Sequence, residues 1–113
     1  MEIKNIFVPL TKDAFNDFSR GKIFEIRKAE RCWNRNQIYT GRGVTLSCGY
    51  SGSRRHGIIG KVIFGSLDDL FKKVSFRKIE PLAKSHVEAI RANRKLLGRS
   101  LEYVAFEVIM NGN

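Results

Sequence analysis

Apolar and polar positions along this chain follow two periods, and the switches between them mark the elements. Ile3 to Leu10, with Ile6, Phe7 and Val8 inside it, reads as a strand ended by Pro9. Thr11 is placed to cap a helix carrying Ala14, Phe15 and Phe18, with Asp13 in its first turn. The two phenylalanines share one helical face and are expected in the core. Gly21 suits the left-handed position just past that helix. From Gly21 to Arg27 the period becomes two. Phe24 and Ile26 take the core face of a strand, while Ile23, Glu25 and Arg27 share a half-exposed face, with Lys22 at its mouth.

The pattern breaks from Glu30 to Gln37, a polar stretch that reads as a loop. Val44, Leu46 and Cys48 then alternate with Thr45, Ser47 and Gly49, which predicts a half-buried strand. Gly49 to Gly57 reads as a turn-rich hairpin tip bearing Arg54, Arg55 and His56. Ile58 to Phe64 is the returning strand, apolar enough to be covered on both faces. Ser66, with Asp69 three residues on, opens a short helix through Leu67, Leu70, Phe71 and Val74. Ser75 to Ala83 is irregular, and Pro81 keeps Glu80 extended in a loop able to reach inward. Ser85-His86-Val87-Glu88 is a full capping box. It starts a helix whose face mixes Val87, Ile90, Arg91, Arg94 and Leu97, ending at Gly98. Leu101 to Met110 is a last strand, with Val104, Phe106 and Val108 alternating against Tyr103, Ala105 and Glu107. The order strand, helix, three strands, two helices, strand predicts an α+β fold, a small and mainly antiparallel β-barrel with helices at its rim.

The 113 residues suffice for one domain, 1–113, with a single core. Charge changes the picture more than size does. The chain carries 21 Lys and Arg against 11 Asp and Glu, a net charge of +10. Ten of the basic residues fall between Arg20 and Lys61, where the acids are only Glu25 and Glu30, so that window holds eight of the ten net charges. Such a concentrated positive field attracts polyanions, and nucleic acid is the commonest of these. The bland alternative is a basic surface that serves solubility. Cys32 and Cys48 have neither the spacing nor the histidine partners of a zinc site, so no metal is expected, and no cofactor. No signal-peptide pattern and no apolar run of membrane-spanning length is present, so no membrane is expected and a reduced, cytoplasmic setting is the default. The oligomeric state is left open.

Gly21-Lys22-x-x-Glu25-x-Arg27, following an amphipathic helix, resembles the signature of the ASCH domain, a member of the PUA-like superfamily. The strand from Gly57 to Val62 and the helix from Leu67 to Val74 stand in the expected places. The resemblance therefore covers most of the chain, although its sharp part is those seven residues. It implies a PUA-like β-barrel with a cleft beside the motif, proposed to bind RNA or nucleotide-like ligands. Some small bacterial members resemble amidohydrolases acting on N4-acetylcytidine, with a motif lysine, a threonine and a distant glutamate. Carried over, the lysine is Lys22 and the glutamate is best matched by Glu80. Glu25 stands at the threonine position, a departure from that pattern. Another branch resembles ribonucleases.

Two sets of candidate residues follow. Lys22, Arg27, Arg54 and Arg55 are expected to hold phosphates of RNA or another nucleic acid. Arg31, Trp33 and Arg35 join them if Trp33 stacks on a base between two arginines; the other reading of Trp33 is an anchor that closes the loop over the core. An ion pair with Glu25 would keep Lys22 protonated and make it an electrostatic group. The catalytic candidates are Lys22, Glu25 and Glu80, with Glu25 as a general base for water and Lys22 or Glu80 assisting. The expected function is RNA or nucleotide binding in a basic cleft beside the motif. The alternative is a hydrolase acting on nucleic acid or a modified nucleoside, and a protein-interaction module is a third option.

Overall fold

The computed structural model describes residues 4–110. Its elements are β1 (Ile6–Leu10), α1 (Lys12–Asp17), β2 (Phe24–Lys28), β3 (Gly43–Cys48), β4 (Arg54–Gly65), α2 (Leu67–Lys73), α3 (His86–Leu97) and β5 (Tyr103–Met110). Single turns of 3-10 helix lie at Arg31–Trp33 and Phe76–Lys78. The helix starts are where hydroxyl caps satisfy orphan amides: Thr11 accepts from Ala14 N, Ser66 from Asp69 N and Ser85 from Glu88 N. The capping box at Ser85 is only half formed, because Glu88 accepts from Lys84 N rather than from the cap residue itself. Gly21, at φ 111°, turns the chain out of α1 through a conformation closed to residues with a Cβ.

The five strands form one sheet in the order β1-β3-β4-β5-β2, with β1 parallel to β3 and every other pair antiparallel. The sheet curls into a half-barrel whose free edges are β1 and β2. Its inner face gathers Ile6, Val8, Leu46, Ile59, Phe106 and Val108 into one core. Its outer face, along β2, β5 and the end of β4, packs Phe24, Ile26 and Ile63 against Leu67, Leu70 and Ile90 of α2 and α3. The strands between these two cores are therefore buried on both faces.

This layering corrects several sequence expectations. The charged face of β2 is not half-exposed: Phe24 and Ile26 point outward under the helices, while Glu25 and Arg27 point to the mouth of the half-barrel. β3 is central, so its polar face is covered too, with Thr45 and Ser47 buried. β4 begins at Arg54, so Arg54, Arg55 and His56 are strand residues and the tip shrinks to Gly49–Ser53. A register shift between Ile59 and Val62 exchanges the faces of β4, which puts Ile58 outside beyond the helices, 44% exposed rather than covered. On α3 the buried face is Ala89, Ile90 and Asn93, whereas Val87, Arg91 and Arg94 are exposed. Pro9 does not end β1 but lies within it, which an edge strand tolerates. The last strand starts at Tyr103, leaving Leu101 exposed, and the expected start of β1 at Ile3 lies outside the described residues. No described helix is long and apolar enough to cross a membrane.

Candidate functional site

The gap between the two edge strands is a cavity of about 300 Å³, walled by β1 and α1 on one side, β2 on the other, and α3 above. Chain geometry delivers charged groups into it. After α1, Lys22 N donates to Asp17 O at 3.0 Å, and the tight turn at Gly21 sends the Lys22 side chain inward. Ile23 N donates to Lys78 O at 2.7 Å, which stitches the Phe76–Lys78 turn to the start of β2 and brings Ile79 and Glu80 beside the lysine. Lys22, only 3% exposed, donates through Nζ to Ile79 O at 2.7 Å and pairs with Glu25 Oε1 at 3.2 Å. Its ammonium also lies 5.5 Å from the centre of the Phe18 ring.

Glu25 and Arg27 are two residues apart on β2 and so share a face. Arg27 donates to Glu25 Oε2 through Nε at 3.0 Å and Nη2 at 2.8 Å. The same Nη2 reaches Pro9 O at 2.7 Å, so one side chain bridges the two free edges of the half-barrel. The guanidinium stacks over Trp33 at 4.8 Å, and Trp33 in turn stacks on Phe106 at 6.3 Å. Across the cavity, buried Asn93 donates to Glu80 Oε1 at 3.1 Å and to Ala89 O at 2.9 Å. Asp17, buried at the foot of α1, is paired with Arg20 at 3.0 Å.

The two cavity glutamates are driven in opposite directions. Burial alone would raise Glu25, but the adjacent Lys22 and Arg27 charges, with their hydrogen bonds, hold its carboxyl below the ordinary value. Burial raises Glu80, and Lys22 and the Asn93 hydrogen bond do not bring it back down, while Asp17 and Glu25 push it further up. Both oxygens of Glu25 are occupied. Among the described residues Glu80 Oε2, Asn93 Oδ1 and the second oxygen of Asp17 accept no hydrogen bond, so the open face of the cavity offers acceptors beside a fixed positive charge.

No protein-family model matches the sequence, and no curated protein matches it either. Solved structures do. The hypothetical protein PH0355 superposes with a TM-score of 0.74 at 17% identity, over 92% of this chain and 96% of that one. The protein PF0455 from Pyrococcus furiosus gives 0.69 at 19% identity, over 97% of this chain and all of that one. A point mutant of the ASCH protein from Zymomonas mobilis gives 0.65 at 13% identity, over 91% of this chain and 67% of that one. The chain has the ASCH fold. The α+β fold with a mainly antiparallel sheet and flanking helices is as expected, but the sheet curls into a half-barrel with β1 and β2 as its edges instead of closing into the expected barrel.

Within this ASCH fold the candidate residues fall into separate groups. Lys22, Glu25, Arg27 and Glu80 line the cavity together. Arg31 and Trp33, with Lys28, line a shallower groove that continues from it past Arg27, Leu96 and Leu97. Trp33 is half-buried and braces Arg27, so of its two readings the anchor is the one the geometry matches. Arg35 is held away from the cavity by Glu102 and lies over Phe64. Arg54 covers Phe7, and Arg55 reaches Ser19 Oγ at 3.2 Å. Asn93 and Asp17 escaped the sequence reading. Asn93 carried one signal, a polar residue one turn beyond Ala89 on the helix face that also holds Ile90 and Leu97; Asp17 carried none. Among the described residues no cluster of three His, Cys, Asp or Glu is placed to hold a metal.

Proposed function

We propose that this chain binds RNA or a nucleotide-like ligand, with one nucleoside unit seated in the cavity between β1 and β2. The observation that carries this reading is the convergence of Lys22, Glu25, Arg27 and Glu80 on one cavity at the open seam of the half-barrel. Its volume suits a single small unit rather than a polymer. Glu80 Oε2 and Asn93 Oδ1 can accept from the amino-bearing edge of a base, and Lys22 and Arg27 are already neutralised in part by Glu25. Phosphates fit better in the adjoining groove, where Arg31 has no ion pair among the described residues and Lys28 is held only by exposed Glu30 at 3.5 Å. Calorimetric titration with cytidine monophosphate tests this: wild type binds, and Glu80→Gln, which turns one acceptor into a donor, binds at least tenfold more weakly. Equal affinities would remove the reading.

A second reading, hydrolysis of a nucleoside amide or of RNA, is favoured by the opposed shifts of the two glutamates, the pattern by which neighbouring carboxyls divide acid and base work. Glu25 has no free oxygen, so proton transfer suits Glu80. In an N4-acetylated cytosine, water would add to the acyl carbon as Glu80 takes its proton. The C–N bond would then break as that proton passes to the amine, releasing acetate. Lys22 would stabilise the charge on the acyl oxygen. Incubation with N4-acetylcytidine and with RNA decides: turnover lost in both Lys22→Ala and Glu80→Gln supports it, and turnover no greater than in those variants ends it.

A further inference from the structure

Outside the cavity, an aromatic step stands on the outer face of β1 and β3. Tyr50, at the β3–β4 tip, is 78% exposed, and its ring stacks on Phe7 at 6.2 Å with an interplanar angle of 27°. Arg54 lies over the Phe7 ring at 5.3 Å and donates to Tyr50 O at 3.3 Å, which ties cation and ring together. The hairpin that carries Tyr50 and Arg54 has no acid of its own: from Arg31 to Ser66 the chain contains no Asp or Glu, but it carries Arg42, Arg54, Arg55 and Lys61. An exposed ring braced by a second ring and a guanidinium is the arrangement on which unpaired bases stack without regard to sequence.

The step adjoins the cavity. Phe7 and Pro9 project from the same face of β1, two residues apart, and Pro9 lines the cavity. Gly49 N donates to Leu10 O at 2.8 Å, so the tip carrying Tyr50 is fastened to the cavity wall. Only the width of one edge strand separates the two.

We propose that Tyr50, Phe7 and Arg54 form a stacking site for a nucleotide flanking the one in the cavity, so that the ligand is a single strand of RNA rather than a free nucleoside. The inference rests on the proposed nucleoside site and narrows its ligand. In a duplex the bases are already stacked and cannot reach Tyr50. In a free nucleoside there is no second base to place there.

Fluorescence anisotropy with a dye-labelled short mixed-sequence RNA, beside calorimetry with cytidine monophosphate, tests it. Tyr50→Ala should weaken RNA binding about five- to hundredfold. Affinity for cytidine monophosphate should stay unchanged, as should the melting temperature, since the ring is exposed. Tyr50→Phe should restore RNA affinity, Arg54→Ala should weaken RNA and flatten its salt dependence, and the duplex of the same sequence should bind more weakly. Wild-type RNA affinity in Tyr50→Ala, or equal affinity for single strand and duplex, overturns the stacking site and leaves the cavity reading standing. Loss of the cavity reading shows separately, as indifference of cytidine monophosphate to Glu80→Gln.

Discussion

Arg27 and Arg35 are each gripped by one carboxylate and each laid over one aromatic ring. Glu25 takes two hydrogen bonds from Arg27 at 3.0 and 2.8 Å, and Glu102 takes two from Arg35 at 2.7 and 2.9 Å. Trp33 lies 4.8 Å from one guanidinium and Phe64 lies 4.1 Å from the other. The contacts match, but the surroundings do not. Arg35 is 64% exposed, so water and salt compete for its charge, whereas Glu25 is 10% exposed and also carries the nearly sealed Lys22. A surface pair of this kind adds little, while a buried network holds its members in place because each charge is costly to leave alone. Similar pairs therefore do different work. The buried one shapes a cavity and bridges two free strand edges.

That contrast can be broken most sharply at Glu25. Removing it as Glu25→Ala leaves buried Lys22 and half-buried Arg27 without their shared carboxylate, and urea denaturation should show a loss of about 3–5 kcal/mol. A loss no larger than that of an ordinary surface substitution would mean water already reaches the network. Arg27→Lys keeps the charge but gives up the forked grip on Glu25 and the reach to Pro9 O, with an expected loss of about 1–3 kcal/mol. Amide exchange in β1 and β2 should rise together in that variant; a rise in β2 alone would show that the bridge does not hold the edges.

The opposed glutamates sharpen the same contrast through pH. Glu25 titrates below its ordinary value of 4.5, so its contribution is present above that value and lost as pH falls through the lower, folded one. Glu80 titrates above 4.5, so the folded state holds its proton more tightly and stability declines as pH rises from 4.5 through the raised value. Glu80→Gln should abolish the decline on the alkaline side of 4.5 and keep the acid-side loss. An unchanged profile would place Glu80 in water. The smallest effect is expected at the surface pair, where Glu102→Ala should leave the melting temperature within error despite the two short hydrogen bonds it deletes.

Local signals carried much of the fold. Thr11, Ser66 and Ser85 mark their helix starts because a hydroxyl cap acts within four residues, and Gly98 marks the end of α3 for the same local reason, whereas α1 already ends at Asp17 with Phe18 as its cap and Gly21 closes the turn that follows. The pairing of Glu25 with Arg27 was legible too, since alternate strand residues share a face. Which face pointed inward was not. Alternation in β2 is the same whether its charged side meets water or the mouth of a half-barrel, and only the helices laid over Phe24 and Ile26 decide between them. Asn93 stayed hidden for a related reason, because its partner Glu80 is 13 residues away across a chain reversal. The clustering of basic residues in sequence does not gather them in one cavity, since Arg35, Arg54 and Arg55 lie outside it.

By itself, then, the sequence determined where the helices begin, the order of the elements, the α+β architecture, and the presence of an acid and a base side by side on one strand. Those are consequences of periodicity and capping, which act over a few residues. Tertiary structure alone decided that β1 pairs in parallel with β3, that β1 and β2 are left as free edges, and that Lys22, Glu25, Glu80 and Asn93 meet in the gap between them. Long-range pairing and the burial of charge depend on which surfaces are covered, and no local stretch of chain records that.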